Sequence, residues 1–141
     1  MRLSSALRAP VRVVDTNVLV RALVRDDAAQ SPRAEGLLQA GTLYVPVSLV
    51  LELNWILRSR YGFTLRRIAR ALQLLVALAN VPVGEREAVL TAAARSAKGW
   101  DFAGALHHAL SAGCSNFVTL DATLARQAAR SDICTPPVTR L

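Results

Sequence analysis

Apolar residues recur along the chain with two different periods. Short β-branched runs alternate with longer stretches in which apolar positions fall three and four apart, and that alternation predicts strands followed by helices. The run VRVVD (11–15) reads as the first strand, and VLVRALVRDD after it carries helical spacing, so Asp15 stands at a strand-to-helix junction. Ser31 and Pro32 offer an N-cap and a first-turn proline for a second helix to about Gln39, which Gly41 ends. TLYVPVS (42–48) reads as a second strand feeding the helix SLVLELNWILRSRYG, with Glu52 near its start.

Thr64 is placed to cap a long amphipathic helix, LRRIARALQLLVALAN, with Arg66, Arg67 and Arg70 on one side and most leucines on the other. That helix ends before Pro82. The segment EREAVLTAAARSAKG (85–99) predicts a further helix with acids in its first turn and Arg95 and Lys98 in its last, which matches the helix dipole. Trp100 and Asp101 begin the next helix, to about Ala112, and Gly113 stops it. NFVTLD (116–121) is the last clear strand, followed by a short helix ATLARQAAR and a weak strand around Val138.

Strands alternating with helices imply an α/β fold with a mostly parallel central sheet covered on both faces. The functional crevice of such a sheet lies at the carboxyl ends of its strands. Asp15 and Asp121 both fall there, while Glu52 and Asp101 are expected in the first turns of helices, so all four acids can meet at one end of the sheet.

Composition adds an electrostatic constraint. The 141 residues suit one domain: residues 1–10 are expected to form a short disordered lead-in and 11–141 the folded domain. With 17 Lys+Arg against 10 Asp+Glu, the net charge of +7 favours an anionic partner, although the arginine excess also fits a bias of genome composition. Four of the few carboxylates thus stand where burial is expected to make charge costly, an expense that a divalent cation explains. Cys114 and Cys134 lack metal-site spacing and are expected to be reduced and buried. No signal peptide is evident, and no apolar segment reaches the roughly 18 residues of a membrane span, so a cytoplasmic protein is expected.

Mg²⁺ and Mn²⁺ are hard cations that take carboxylate oxygens and water, and clustered carboxylates suit metal-assisted phosphodiester hydrolysis. The chain has no Gly-rich phosphate loop, no paired His/Cys ligand spacing and no serine nucleophile elbow. A phosphatase using two aspartates two residues apart is disfavoured, because Asn17 occupies the second position. Each acid also has a plainer role: Asp15, Asp101 and Asp121 as helix caps, Glu52 as a partner for Arg58. His107 and His108 read as packing or contact residues, Trp55 and Trp100 as core or interface anchors, and Arg66, Arg67 and Arg70 as an exposed basic face.

The order VVDTNVLVRAL, then PVSLVLELNWILRSRYGFTLRRIARALQLLVALANVPV, then WDFAGALHHALSAGCSNFVTLDATLAR, resembles the PIN-domain ribonucleases, specifically the VapC-type toxins, over roughly residues 11 to 130. The resemblance implies a three-layer α/β/α PIN-like domain and Mg²⁺- or Mn²⁺-dependent endoribonuclease activity on an RNA substrate. It also implies a homodimer and a cognate antitoxin that blocks the site. Position by position, Asp15 matches the first metal-binding aspartate, Glu52 the family's glutamate, and Asp121 the aspartate after the last core strand. Thr16 and Asn17 match the small polar pair after the first acid, where they are placed to hydrogen-bond Asp15 or a water, and Thr119 is placed to orient Asp121.

One position departs from the pattern. DFAGALH carries Gly104 where close relatives have a second aspartate, leaving Asp101 one turn earlier on the same helix face, roughly 4.5 Å along the axis. Asp101 is therefore expected to serve as the third acid, with lower metal affinity. The alternative is a catalytically weakened PIN-like module that binds RNA or the antitoxin.

Overall fold

Strand β1 (Val11–Val13) pairs in parallel with β2 (Thr42–Tyr44), setting Val11 opposite Thr42 and Val13 opposite Tyr44. These residues belong to a computed structural model that describes residues 10–131 and 135–141. Most of the expected lead-in, and Cys134, lie outside the described residues. The second strand is shorter than its apolar run suggests. Pro46, which has no N–H to donate, is the N-cap of the next helix, so the extended run breaks there.

Segment 80–84 runs beside β2, an element that the pattern of apolar residues did not reveal. Leu43 donates its N–H to the Asn80 carbonyl at 3.0 Å, Val45 to Pro82 at 2.9 Å, and Gly84 returns one to Val45 at 2.8 Å. The only ladder contact here is the isolated parallel bridge Val45 to Val83, flanked by a proline, which is too short to show as a periodic run. Strand β3 (Phe117–Thr119) pairs in parallel with β4 (Val138–Arg140). The strands are parallel as expected, but among the described residues they form two pairs rather than one continuous sheet.

The helices are α1 (Thr16–Val24), α2 (Gln30–Gln39), α3 (Val47–Ser59), α4 (Leu65–Ala77), α5 (Arg86–Ala97), α6 (Phe102–Leu110) and α7 (Ala122–Ala129). Helix α3 touches α1, α4 and α6, while α5 packs on α4 and α6. Leu19, Leu43, Val45, Leu53, Leu57, Val89 and Leu106 are fully buried in one core. Thr64 caps α4 as expected, its side chain accepting from the Arg67 N–H at 3.1 Å, and Arg66, Arg67 and Arg70 are exposed. No helix among the described residues is long and apolar enough to cross a membrane.

The start of α2 corrects the expected cap. Asp27, not Ser31, receives the first N–H groups, from Ala29 at 2.9 Å and Gln30 at 2.7 Å. Ser31 lies buried inside the helix, and its hydroxyl accepts from the Asp27 N–H at 3.3 Å. Asp wins because its carboxylate sits where two orphan donors converge. Those two bonds hold the Asp27 carboxyl below its ordinary pKa.

Two side-chain expectations also change. Cys114 is exposed, because α6 ends at Leu110 and the turn that follows lies on the surface. The tryptophans divide: Trp100 is buried with Arg95 over its ring, whereas Trp55 is 59% exposed beneath Arg60.

Candidate functional site

The three aspartates share one local construction. Each has an extended backbone and caps the helix that follows; Asp15 and Asp121 come after strands β1 and β3, whereas Asp101 follows the turn that ends α5. Asp15 Oδ1 accepts from the adjacent Thr16 N–H at 2.7 Å. Asp101 Oδ2 accepts from the Gly104 N–H at 3.0 Å, and Asp121 Oδ1 accepts from both Thr123 at 2.9 Å and Leu124 at 3.1 Å. Each carboxylate therefore has a second oxygen with no protein donor among the described residues.

Thr119 supports Asp121 through the backbone: its hydroxyl accepts from the Asp121 N–H at 3.0 Å, closing the turn between β3 and α7. Thr16 behaves differently from the expectation. It bonds Asp15 through its backbone N–H, while its hydroxyl, on a residue only 1% exposed, meets no partner among the described residues. A buried hydroxyl left so costs about 1–3 kcal/mol. Asn17, on the same turn, is exposed.

Glu52 lies near the start of α3, as its sixth residue. It is exposed, as are Asp15, Asp101 and Asp121, so none of the four charges stands in the desolvated setting expected of them. The apolar neighbours of Glu52 misled because a helix turns them elsewhere: Leu53 and Leu57 face the core, while Glu52 and Trp55, three apart, face outward.

The starts of α6 and α7 adjoin each other. A Cβ added at Gly104 would stand 3.5 Å from Asp101 Oδ2 and 3.5 Å from Leu124 Cδ2, ordinary van der Waals contacts. Leu124 is buried in the first turn of the helix that Asp121 caps, so Asp101 and Asp121 flank a single helix-to-helix contact. Gly104 has no steric reason to be glycine, and nothing else in the structure explains it.

A divalent ion fits this donor set in chemistry. The available atoms are hard carboxylate oxygens, one per aspartate, and an orphaned buried hydroxyl lies beside Asp15. Among the described residues no three acidic, histidine or cysteine side chains converge closely enough to cage an ion. Mg²⁺ does not require that, since one or two carboxylates with waters and substrate phosphate suffice.

The histidines divide as their neighbours dictate. His107 is exposed, and His108 is fully buried. His108 Nε2 donates to the Pro136 carbonyl at 2.7 Å, its Nδ1 accepts from Arg95 at 2.8 Å, and its ring meets Phe117 edge-on at 5.5 Å. It therefore ties α5 and α6 to the approach of β4, a packing role.

The sequence did not reveal a cleft beside Asn17. It has a volume of about 580 Å³ and lies between α1 and α2, lined by Asn17, Val18, Arg21, Gln30, Arg33, Ala34 and Leu37. Its floor carries a polar network: Arg21 Nε donates to Gln30 Oε1 at 2.8 Å, and Arg21 Nη1 donates to the Tyr61 hydroxyl at 3.1 Å and pairs with Asp26 at 3.2 Å. The bond to Tyr61, then the charge of Asp26, raises the Arg21 pKa above its ordinary value. No periodicity joins Asn17 to Gln30, which meet only because α2 folds back on α1.

No curated protein is matched by the sequence. The PIN domain family matches residues 12–138 of the 141, spanning all four acids, and the chain belongs to that family.

Proposed function

We propose that the protein is a metal-dependent endoribonuclease in which Asp15, Glu52, Asp101 and Asp121 form the acidic centre. PIN domains are generally nucleases, and membership of that family is the observation that carries the reading. The three aspartates at helix starts, each with an oxygen to spare, support it. Asp15, Asp101 and Asp121 would hold Mg²⁺ or Mn²⁺ through those oxygens, with Glu52 joining from α3. The ion supplies an activated water and neutralises charge on the phosphodiester. The chain's own contribution is positional: Thr119 sets the turn that aims Asp121, and the backbone N–H groups of the helix starts orient the aspartates. Sixteen arginines provide the positive field that attracts RNA, with binding that weakens as salt rises.

At a finer level the reading is a toxin of the VapC type, acting in the cytoplasm as a homodimer and restrained by a cognate antitoxin. Gly104 favours a second reading, a PIN module with weakened catalysis that still binds RNA or the antitoxin. One experiment separates the two: purified protein is incubated with a mixed set of structured RNAs and Mg²⁺, Mn²⁺ or EDTA, beside Asp15→Asn. Metal-dependent cleavage that falls steeply in Asp15→Asn is expected. Cleavage unchanged in Asp15→Asn overturns the site assignment, and RNA binding with no cleavage in either metal favours the second reading.

A further inference from the structure

The cleft between α1 and α2 shares the first turn of α1 with the acidic centre. Asn17 lines it two residues after Asp15, and Arg21 follows about 6 Å further along the helix axis. Its volume of about 580 Å³ lies within the range of ligand pockets. Its lining is of two kinds. Val18, Ala34 and Leu37 are apolar, with Ala34 buried and Leu37 half-buried. Gln30 and Arg33 are polar and exposed.

The polar groups have a definite sense. Arginine carries only donors, so the atom of Gln30 that meets Arg21 Nε must be its amide oxygen. The amide orientation is thereby determined, and Gln30 Nε2, with two N–H groups, has no protein acceptor among the described residues. Arg21 is held by Asp26 and Tyr61, while Arg33 makes no ion pair or hydrogen bond among the described residues. The cleft thus offers an apolar wall, a pair of oriented N–H donors and one uncommitted cation.

Those three features suit an RNA nucleotide: a flat base for the wall, a carbonyl or ring nitrogen for the donors, and a phosphate for the guanidinium. We propose that the α1–α2 cleft is a base-binding subsite for the substrate nucleotide next to the scissile phosphate, with Gln30 reading an acceptor on the base and Arg33 holding its phosphate. This inference rests on the ribonuclease reading and assigns part of its sequence preference to residues outside the acidic centre. Gln30 and Arg33 bind substrate here and take no part in bond breaking.

The test separates binding from cleavage. Uniformly ¹⁵N-labelled protein is titrated in EDTA with 5′-UMP, 5′-CMP, 5′-GMP and 5′-AMP, and amide shifts are followed by NMR. Shifts are expected at Val18, Ala34 and Leu37, with affinity at least fivefold weaker in Arg33→Ala and in Gln30→Glu. The latter keeps an acceptor for Arg21 while removing the N–H donors. Retained dispersion of the amide spectrum shows that each variant is folded. Cleft amides unmoved by all four nucleotides, or moved equally in parent and variants, overturn the proposal. Mapping cleavage sites in a pooled RNA then shows whether Gln30→Glu flattens the base preference at one flanking position; an unchanged preference also overturns it. A parent that neither cleaves nor binds the RNA pool removes the ribonuclease reading itself, a result distinct from a parent that binds RNA while its cleft stays silent.

Discussion

The junction of β1 and α1 and the adjoining starts of α6 and α7 use the same device with different structural commitment. At the first, Asp15 accepts one N–H, from its own neighbour, and a buried hydroxyl beside it has no partner among the described residues. At the second, Asp121 gathers two N–H groups, and the buried Leu124 packs beside Gly104. Identical side chains at identical positions thus divide labour. Asp15 contributes little to holding its helix, whereas Asp121 holds the start of α7 through two N–H groups.

The sharpest way to break that contrast is activity against stability in Asp15→Asn and Asp121→Ala. Asp15→Asn is expected to lower metal-dependent RNA cleavage by roughly 10²–10³-fold, the range for deleting one electrostatic contact at a reacting group. Its Tm should stay close to that of the parent. Asp121→Ala should lower activity and also cost about 1 kcal/mol, the usual cost of a lost cap, in a denaturant titration. Equal stability losses in the two variants would erase the distinction.

Leu124→Ala tests the packing side of the second region. Removing a buried leucine that braces α7 against α6 is expected to cost about 2–5 kcal/mol by chemical denaturation. Activity should fall with it as Asp121 loses its aim; full activity would show that the α6–α7 contact does not position the site.

Gly104 sharpens the comparison further. Gly104→Asp places a carboxylate beside Asp101 in ordinary contact distance and is expected to raise cleavage by about tenfold at limiting Mg²⁺, a 1.4 kcal/mol effect. Gly104→Ala should stabilise α6 by up to about 1 kcal/mol without a gain in activity. A gain in both variants would assign the effect to helix stability rather than to charge.

The smallest effect concerns pH and the start of α2. The folded-state pKa of Asp27 is depressed by its two backbone bonds, so its stabilising contribution is present above the unfolded value, about 3.9, and lost as pH falls through the folded value. Asp27→Asn should flatten that part of the stability profile below about pH 4 while leaving neutral-pH activity unchanged. An unaltered acid limb would remove Asp27 from the account.

The sequence by itself determined the helices with clear amphipathic spacing, the Thr64 cap, the parallel strand-to-helix logic and the aspartates at strand ends, because those depend on periods of two and 3.6 and on local capping chemistry. PIN family membership was equally legible, since the motifs fall in order along the chain. Tertiary structure decided the rest. The 80–84 segment appears only when β2 supplies a partner. Glu52 faces outward because the packing of α3 turns Leu53 and Leu57 to the core instead, and Cys114 is exposed because the turn after α6 is on the surface. The α1–α2 cleft exists because two helices fold against each other across a loop, a relation between residues thirteen apart that no periodicity encodes.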